Sequence, residues 1–100
     1  MIDLEQAVME IIVNAGQSRS LCFEALQAAR TGDIARAKSL LLEADTFSRQ
    51  AHHMQTKLIE QDAGEAKQPM TLIMVHAQDH LMTSLLAREL SEEIIHLYQR

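Results

Sequence analysis

The sequence predicts an all-α protein, an antiparallel three-helix bundle in a single domain spanning residues 1–100. Three observations carry this. The composition is rich in Ala, Leu, Ile, Met, Glu, Gln, Lys and Arg and holds one Pro and three Gly, a mixture that favours helix. Apolar positions recur at steps of three and four over three long stretches, the period of a helix buried along one stripe. Only Thr31-Gly32-Asp33 and the segment from Asp62 to Pro69 interrupt those stretches.

The first helix is expected over roughly 3–31. Leu4, Val8, Ile11, Ala15, Ser18, Cys22, Ala25 and Ala29 form its seam. Asp3 suits the N-cap, and Thr31-Gly32 suits the end, with Gly32 free to take the left-handed conformation. Gly16, in the middle, costs about 1 kcal/mol relative to Ala. It is either a tolerated surface position or a place where another backbone or a ligand comes close. Cys22 is the lone cysteine, so no internal disulfide is available, as expected in a reducing compartment. Its expected role is that of a small buried apolar residue.

Asp33 suits the cap of a second helix running over roughly 33–62, with Ala37, Leu40, Ala44, Phe47, Ala51, Met54 and Leu58 as its seam. The short first connection makes these two helices antiparallel neighbours. His52 and His53 have no partner at a metal-binding spacing and are read as exposed or rim histidines. Gly64 and Pro69 punctuate a charged loop. The third helix is expected over roughly 70–98, with the seam Leu72, His76, Asp79, Thr83, Leu86, Leu90, Glu93/Ile94 and Leu97. It also carries Ile73, Met74, Leu81, Met82, Leu85 and Ile95 outside that stripe. One small bundle cannot cover so much apolar surface, so the third helix is expected to double as a subunit interface.

A net charge of −5 argues against nucleic acid, which calls for a basic stripe, and against an anionic membrane surface. No apolar run approaches the ~20 residues of a membrane span. Met1-Ile2-Asp3-Leu4-Glu5 lacks the basic region and apolar core of a secretory signal, so a cytoplasmic location is expected.

Within Val75-His76-Ala77-Gln78-Asp79-His80-Leu81-Met82, helical spacing gathers His76, Asp79 and His80 within about one turn. The flanking turns are apolar, so these groups are expected to be buried and in need of partners. Three readings stand. A polar layer fixes register in a bundle. A metal site uses imidazoles at i and i+4 with the carboxylate between them, although the zinc-protease pattern is missing. If Asp79 instead faces a symmetry axis, oxygen-only ligation suggests Mg²⁺ or a similar hard ion. In the third reading a histidine accepts an acyl or phosphoryl group covalently. With no phosphate-binding loop in the chain, such a group would come from another protein, as in a relay.

Val75-His-Ala-Gln-Asp-His-Leu-Met-Thr-Ser-Leu-Leu-Ala-Arg-Glu-Leu90 resembles the enzyme IIA component of the lactose/cellobiose (N,N'-diacetylchitobiose) branch of the bacterial phosphoenolpyruvate:sugar phosphotransferase system. Asn14-Ala-Gly-Gln-Ser-Arg-Ser20, Gly32-Asp-Ile-Ala-Arg-Ala-Lys38 and Gln55-Thr-Lys-Leu-Ile-Glu-Gln-Asp-Ala-Gly-Glu65 support the resemblance on the other helices. The wording of the third-helix block is closer to the chitobiose/cellobiose members than to the lactose members. Gln61, where a Gly is familiar, and an N-terminus short beside extended chitobiose members are the departures.

The resemblance implies a homotrimer of three-helix subunits with the third helix at the interface. It implies that His76 is phosphorylated on Nε2 by HPr and passes the group to a cysteine of enzyme IIB, for uptake of a β-disaccharide through the membrane enzyme IIC. It also implies that three copies of Asp79 share a divalent cation, Mg²⁺ by the chemistry above, at the trimer axis. Gln78 and His80 are expected to flank His76. Ser18, Ser20 and Gln17 of a neighbouring subunit are candidate donors to the phosphoryl oxygens.

Overall fold

Each stretch of three-and-four periodicity becomes one uninterrupted helix: α1 (Leu4–Arg30), α2 (Ile34–Ala63) and α3 (Leu72–Tyr98). This computed structural model describes residues 3–100. Met1 and Ile2, read above for a secretory signal, lie outside the described residues. No strand occurs among those described.

Local chemistry sets the helix ends. Asp3 accepts hydrogen bonds from the Glu5 and Gln6 amides, and Asp33 accepts one from Arg36 at 3.0 Å. These carboxylates satisfy amides that have no partner inside a helix. Gly32 has φ +92°, the left-handed conformation that lets the Gly32 and Asp33 amides turn back onto the Ala29 and Ala28 carbonyls. At the other connection, Asp62 organises the loop: its Oδ1 accepts from the Gln68 amide and its carbonyl from Lys67 Nζ, both at 2.8 Å. α3 then starts later than Pro69 suggests. The Thr71 hydroxyl accepts from the Met74 amide at 3.3 Å, and this cap marks the first turn.

The bundle is long and narrow, 51 × 19 × 16 Å. α1 packs against both other helices, while α2 and α3 share a slimmer seam. One apolar cluster, around Leu21, Cys22, Leu40, Leu41 and Ile95, fills the end near the α1–α2 turn. A second, around Val8, Ile11, Leu58, Met74 and Leu81, fills the other. Between these clusters in sequence, each helix carries a buried serine. Ser18 and Ser48 share a hydrogen bond of 2.6 Å, and Ser84 donates to the Leu81 carbonyl.

The seams expected for α1 and α2 face the core; Leu4, Phe47 and Met54 are half-buried and the other seam residues are buried. The seam expected for α3 does not. Its buried face is Met74, Ala77, Leu81, Ser84, Ser91 and Ile95. The stripe Leu72, His76, Asp79, Thr83, Leu86, Leu90, Ile94 and Leu97 is exposed on the opposite side. α3 carries two apolar stripes of the same period. The more leucine-rich one faces out because Ala and Ser on the other let the helices approach closely.

Candidate functional site

The polar turn of α3 therefore stands at the surface of the chain, correcting the expectation that it is buried. His76 and Asp79 are exposed and His80 is half-buried against α1. No Gly or Pro interrupts α3, so the placement of these groups follows from helical geometry alone. His76 and His80 lie one turn apart, their rings 5.8 Å centroid to centroid and 9° from parallel, within the range of offset stacking. The stack leaves the outer face of His76 open.

Asp79 does not join them. Each residue turns a helix by about 100°, which sends Asp79 to the far side of His76 from His80. Among the described residues, no three His, Cys, Asp or Glu side chains gather to hold a metal, and a His/His/Asp site within one chain is absent. Asp79 also pairs with no cation there. Its carboxylate stands in the exposed stripe between Leu72 and Leu86, whose only other polar neighbours are His76 and Thr83. The Thr83 hydroxyl is already committed to the Asp79 and His80 carbonyls. An exposed, unpaired carboxylate is an oxygen donor of the kind that hard cations take.

Gln78 is engaged elsewhere. Two residues beyond His76, it faces α2, where its Oε1 accepts from Gln55 Nε2 at 2.5 Å. Ser18 is likewise removed from the list of phosphoryl donors, because it is fully buried against Ser48. Its place in the α1 seam foretold that burial. Gln17 and Ser20 are exposed. Ser20 lines an open groove of about 490 Å³ with Gly16, Arg19, Phe23, Glu24, Gln27 and His80. Arg19, whose guanidinium lies 5.8 Å from the Phe23 ring centre, puts a cation in this groove, which His80 also lines. In the sequence, the signal for this Arg19 contact is its four-residue spacing from Phe23. His52 and His53 are exposed on α2, as expected.

The family described as "PTS system, Lactose/Cellobiose specific IIA subunit" matches residues 6–99. The chain belongs to this family. It is 52% identical over 98 residues to the PTS system N,N'-diacetylchitobiose-specific EIIA component of Escherichia coli strain K12, covering 98% of this chain and 84% of that protein. Two solved members of the enzyme IIA group superpose on it. The IIA(Chitobiose)–HPr complex of Escherichia coli gives a TM-score of 0.85 at 50% identity, covering 99% of this chain and 96% of that one. The cellobiose-specific enzyme IIA of Bacillus anthracis gives 0.94 at 39% identity, covering 99% and 91%. No helix of this IIA chain is long and apolar enough to cross a membrane among the described residues.

Proposed function

We propose that this chain is a phosphoryl carrier of a bacterial sugar phosphotransferase system, accepting phosphate from HPr on His76 and passing it to a cysteine of enzyme IIB. Membership of the lactose/cellobiose IIA family along nearly the whole chain carries this reading. The relative caught in complex with HPr, half identical to this chain, supports HPr as the donor. The exposed imidazole of His76 on a rigid helix supports its role as acceptor.

In the forward step the His76 Nε2 lone pair attacks phosphorus. The P–N bond forms as the bond from phosphorus to the donor breaks, and the donor keeps the bonding pair. In the second step the enzyme IIB thiolate attacks, a P–S bond forms, and the P–N electrons return to the imidazole. Such transfers rest on aiming the nucleophile and balancing phosphoryl charge rather than on covalent work by the protein. The open outer face of His76 leaves room for both partners in turn. Arg19 and Ser20, in the neighbouring groove, offer a cation and a hydroxyl to a docked partner or to phosphoryl oxygens. The transported sugar belongs to the β-disaccharide class of cellobiose, chitobiose and lactose, and the carrier works in the cytoplasm beside the membrane enzyme IIC.

The working assembly in this proposal is a homotrimer joined along the exposed α3 stripe. Three Asp79 carboxylates would then hold one Mg²⁺, which offsets their mutual repulsion. The phosphoryl chemistry stays at His76.

Incubation with phosphoenolpyruvate, enzyme I and HPr, followed by mass-spectrometric mapping, tests the reading. One acid-labile phosphate per chain is expected on His76, with none on the His76→Ala protein, which stays folded and assembled. Full labelling of His76→Ala defeats the assignment. Loss of assembly in that variant instead favours a purely structural polar layer.

A further inference from the structure

Gly16 lies in the interior of α1 with an ordinary negative φ, since Gly32 is the only positive-φ residue among those described. Backbone conformation therefore does not require glycine there; space does. A Cβ at position 16 would stand 3.2 Å from Nε2 of His80, closer than carbon and nitrogen rest comfortably. The half-buried His80 ring thus points its Nε2 tip at bare α1 backbone. Its other neighbour is the His76 ring, stacked nearly parallel at 5.8 Å. His76 makes no side-chain hydrogen bond among the described residues, and the stack with His80 is the ring contact it makes within the chain.

We infer that Gly16 is a positioning residue for His76, acting through His80. The His80 ring meets the α1 backbone with its Nε2 tip and the His76 ring with its face, and how far the tip reaches toward α1 is set by the missing side chain. A methyl group at position 16 must slide His80 along its ring plane past His76 or swing it out of the stack. Either movement changes the direction in which the reacting nitrogen of His76 points. The inference rests on the relay reading of His76 for its kinetic consequence, but not for the contact itself.

Transfer is sensitive to aim, and a displacement of about 1 Å costs on the order of a hundredfold. The shift needed here is a few tenths of an ångström, so Gly16→Ala is expected to slow transfer from phosphorylated HPr about tenfold at saturating donor. The half-saturating donor concentration should stay within about twofold, because no docking contact is removed. Ala favours helix over Gly, so the melting temperature should hold or rise, separating this loss from unfolding.

The test is a double-mutant cycle read by transfer rate, together with imidazole ¹⁵N spectra of the unphosphorylated protein. In Gly16→Ala both His76 and His80 signals should move. In the His80→Ala background, Gly16→Ala should change the rate by less than about twofold, because the ring it displaces is gone. An unchanged rate in Gly16→Ala, a loss equally large in the His80→Ala background, or unmoved imidazole signals each overturn the inference. Undiminished labelling of His76→Ala would defeat the relay reading instead, while the imidazole spectra would still decide whether Gly16 holds the stack.

Discussion

Cys22 is fully buried in α1, and burial pushes its thiol above the ordinary value. Arg88 opposes that rise through its charge, Asp45 adds to it, and a hydrogen bond with Ser91 lowers it; desolvation outweighs them. A proton held more tightly in the native state than in the unfolded chain stabilises the fold at pH values below the unfolded thiol pKa of about 8.5. That stability drains away as pH rises through the higher native pKa. Chemical denaturation across the alkaline range, at fixed protein concentration, should show a steeper fall for the wild type than for Cys22→Ala. At neutral pH the variant should lose about 1 kcal/mol, the scale of removing one buried heavy atom. Equal alkaline slopes for the two proteins would show that the Cys22 thiol holds its proton no more tightly in the fold than in the unfolded chain. At this scale the sequence was legible wherever the chemistry is local. The caps Asp3 and Asp33 and the left-handed Gly32 depend on near neighbours in the chain, and the burial of Cys22 follows from its place in the apolar stripe of α1. Gln78 and Ser18 were harder, because their partners, Gln55 and Ser48, lie on other helices. Gly16 was legible as a choice between a tolerated surface position and close approach by another backbone or a ligand, whereas what comes close is a side chain, the His80 imidazole.

Among the elements, α1 and α2 each carry one dominant apolar stripe, so periodicity identifies their buried face. α3 carries two, and periodicity alone cannot rank them. The inward stripe uses Ala77, Ser84 and Ser91 for close packing, and Arg88 beside it ties α3 to α2. Arg88 Nε and Nη2 donate to the two Asp45 oxygens at 2.7 and 3.0 Å, and Glu92 stands 3.4 Å from Nη1. This paired, two-bond geometry, in a setting only partly open to water, is stronger than a loose surface contact. It also raises the Arg88 pKa, chiefly through the Asp45 hydrogen bond, so the guanidinium stays charged throughout the working range. Because α2 and α3 share a slim seam, the pair matters to how α3 sits. Asp45→Ala should destabilise the protein by about 1–3 kcal/mol in urea denaturation, at a protein concentration matched to wild type. Glu92→Ala, removing the more exposed and longer contact, should cost less than about 1 kcal/mol. The reverse ranking would contradict the geometry.

At the scale of the molecule, area is the governing quantity. The chain exposes 6395 Å², whereas a compact monomer of 11.3 kDa exposes about 5,700 Å². The excess belongs to a rod-like bundle that leaves Leu72 86% exposed and Leu97 59% exposed on one continuous face of α3. Apolar faces of this extent mark interaction sites, and the heptad spacing from Leu72 to Leu97 is that of a coiled-coil seam. The proposed homotrimer places that seam at its axis, with Asp79 among the leucines. There the two roles of the polar turn separate: His76 toward the rim, Asp79 toward the axis. Three like charges brought together are costly without a cation, and a dry apolar layer avoids that cost. Asp79→Leu should therefore remain trimeric in sedimentation equilibrium and melt at or above the wild-type temperature. Chelation of divalent cations should lower the wild-type melting temperature while leaving that of Asp79→Leu unmoved. Phosphorylation of the variant at His76 should persist, since the axial carboxylate takes no part in transfer. Dissociation of Asp79→Leu to monomers would show that the carboxylate supplies an attraction a leucine cannot replace, and would count against the shared-cation axis.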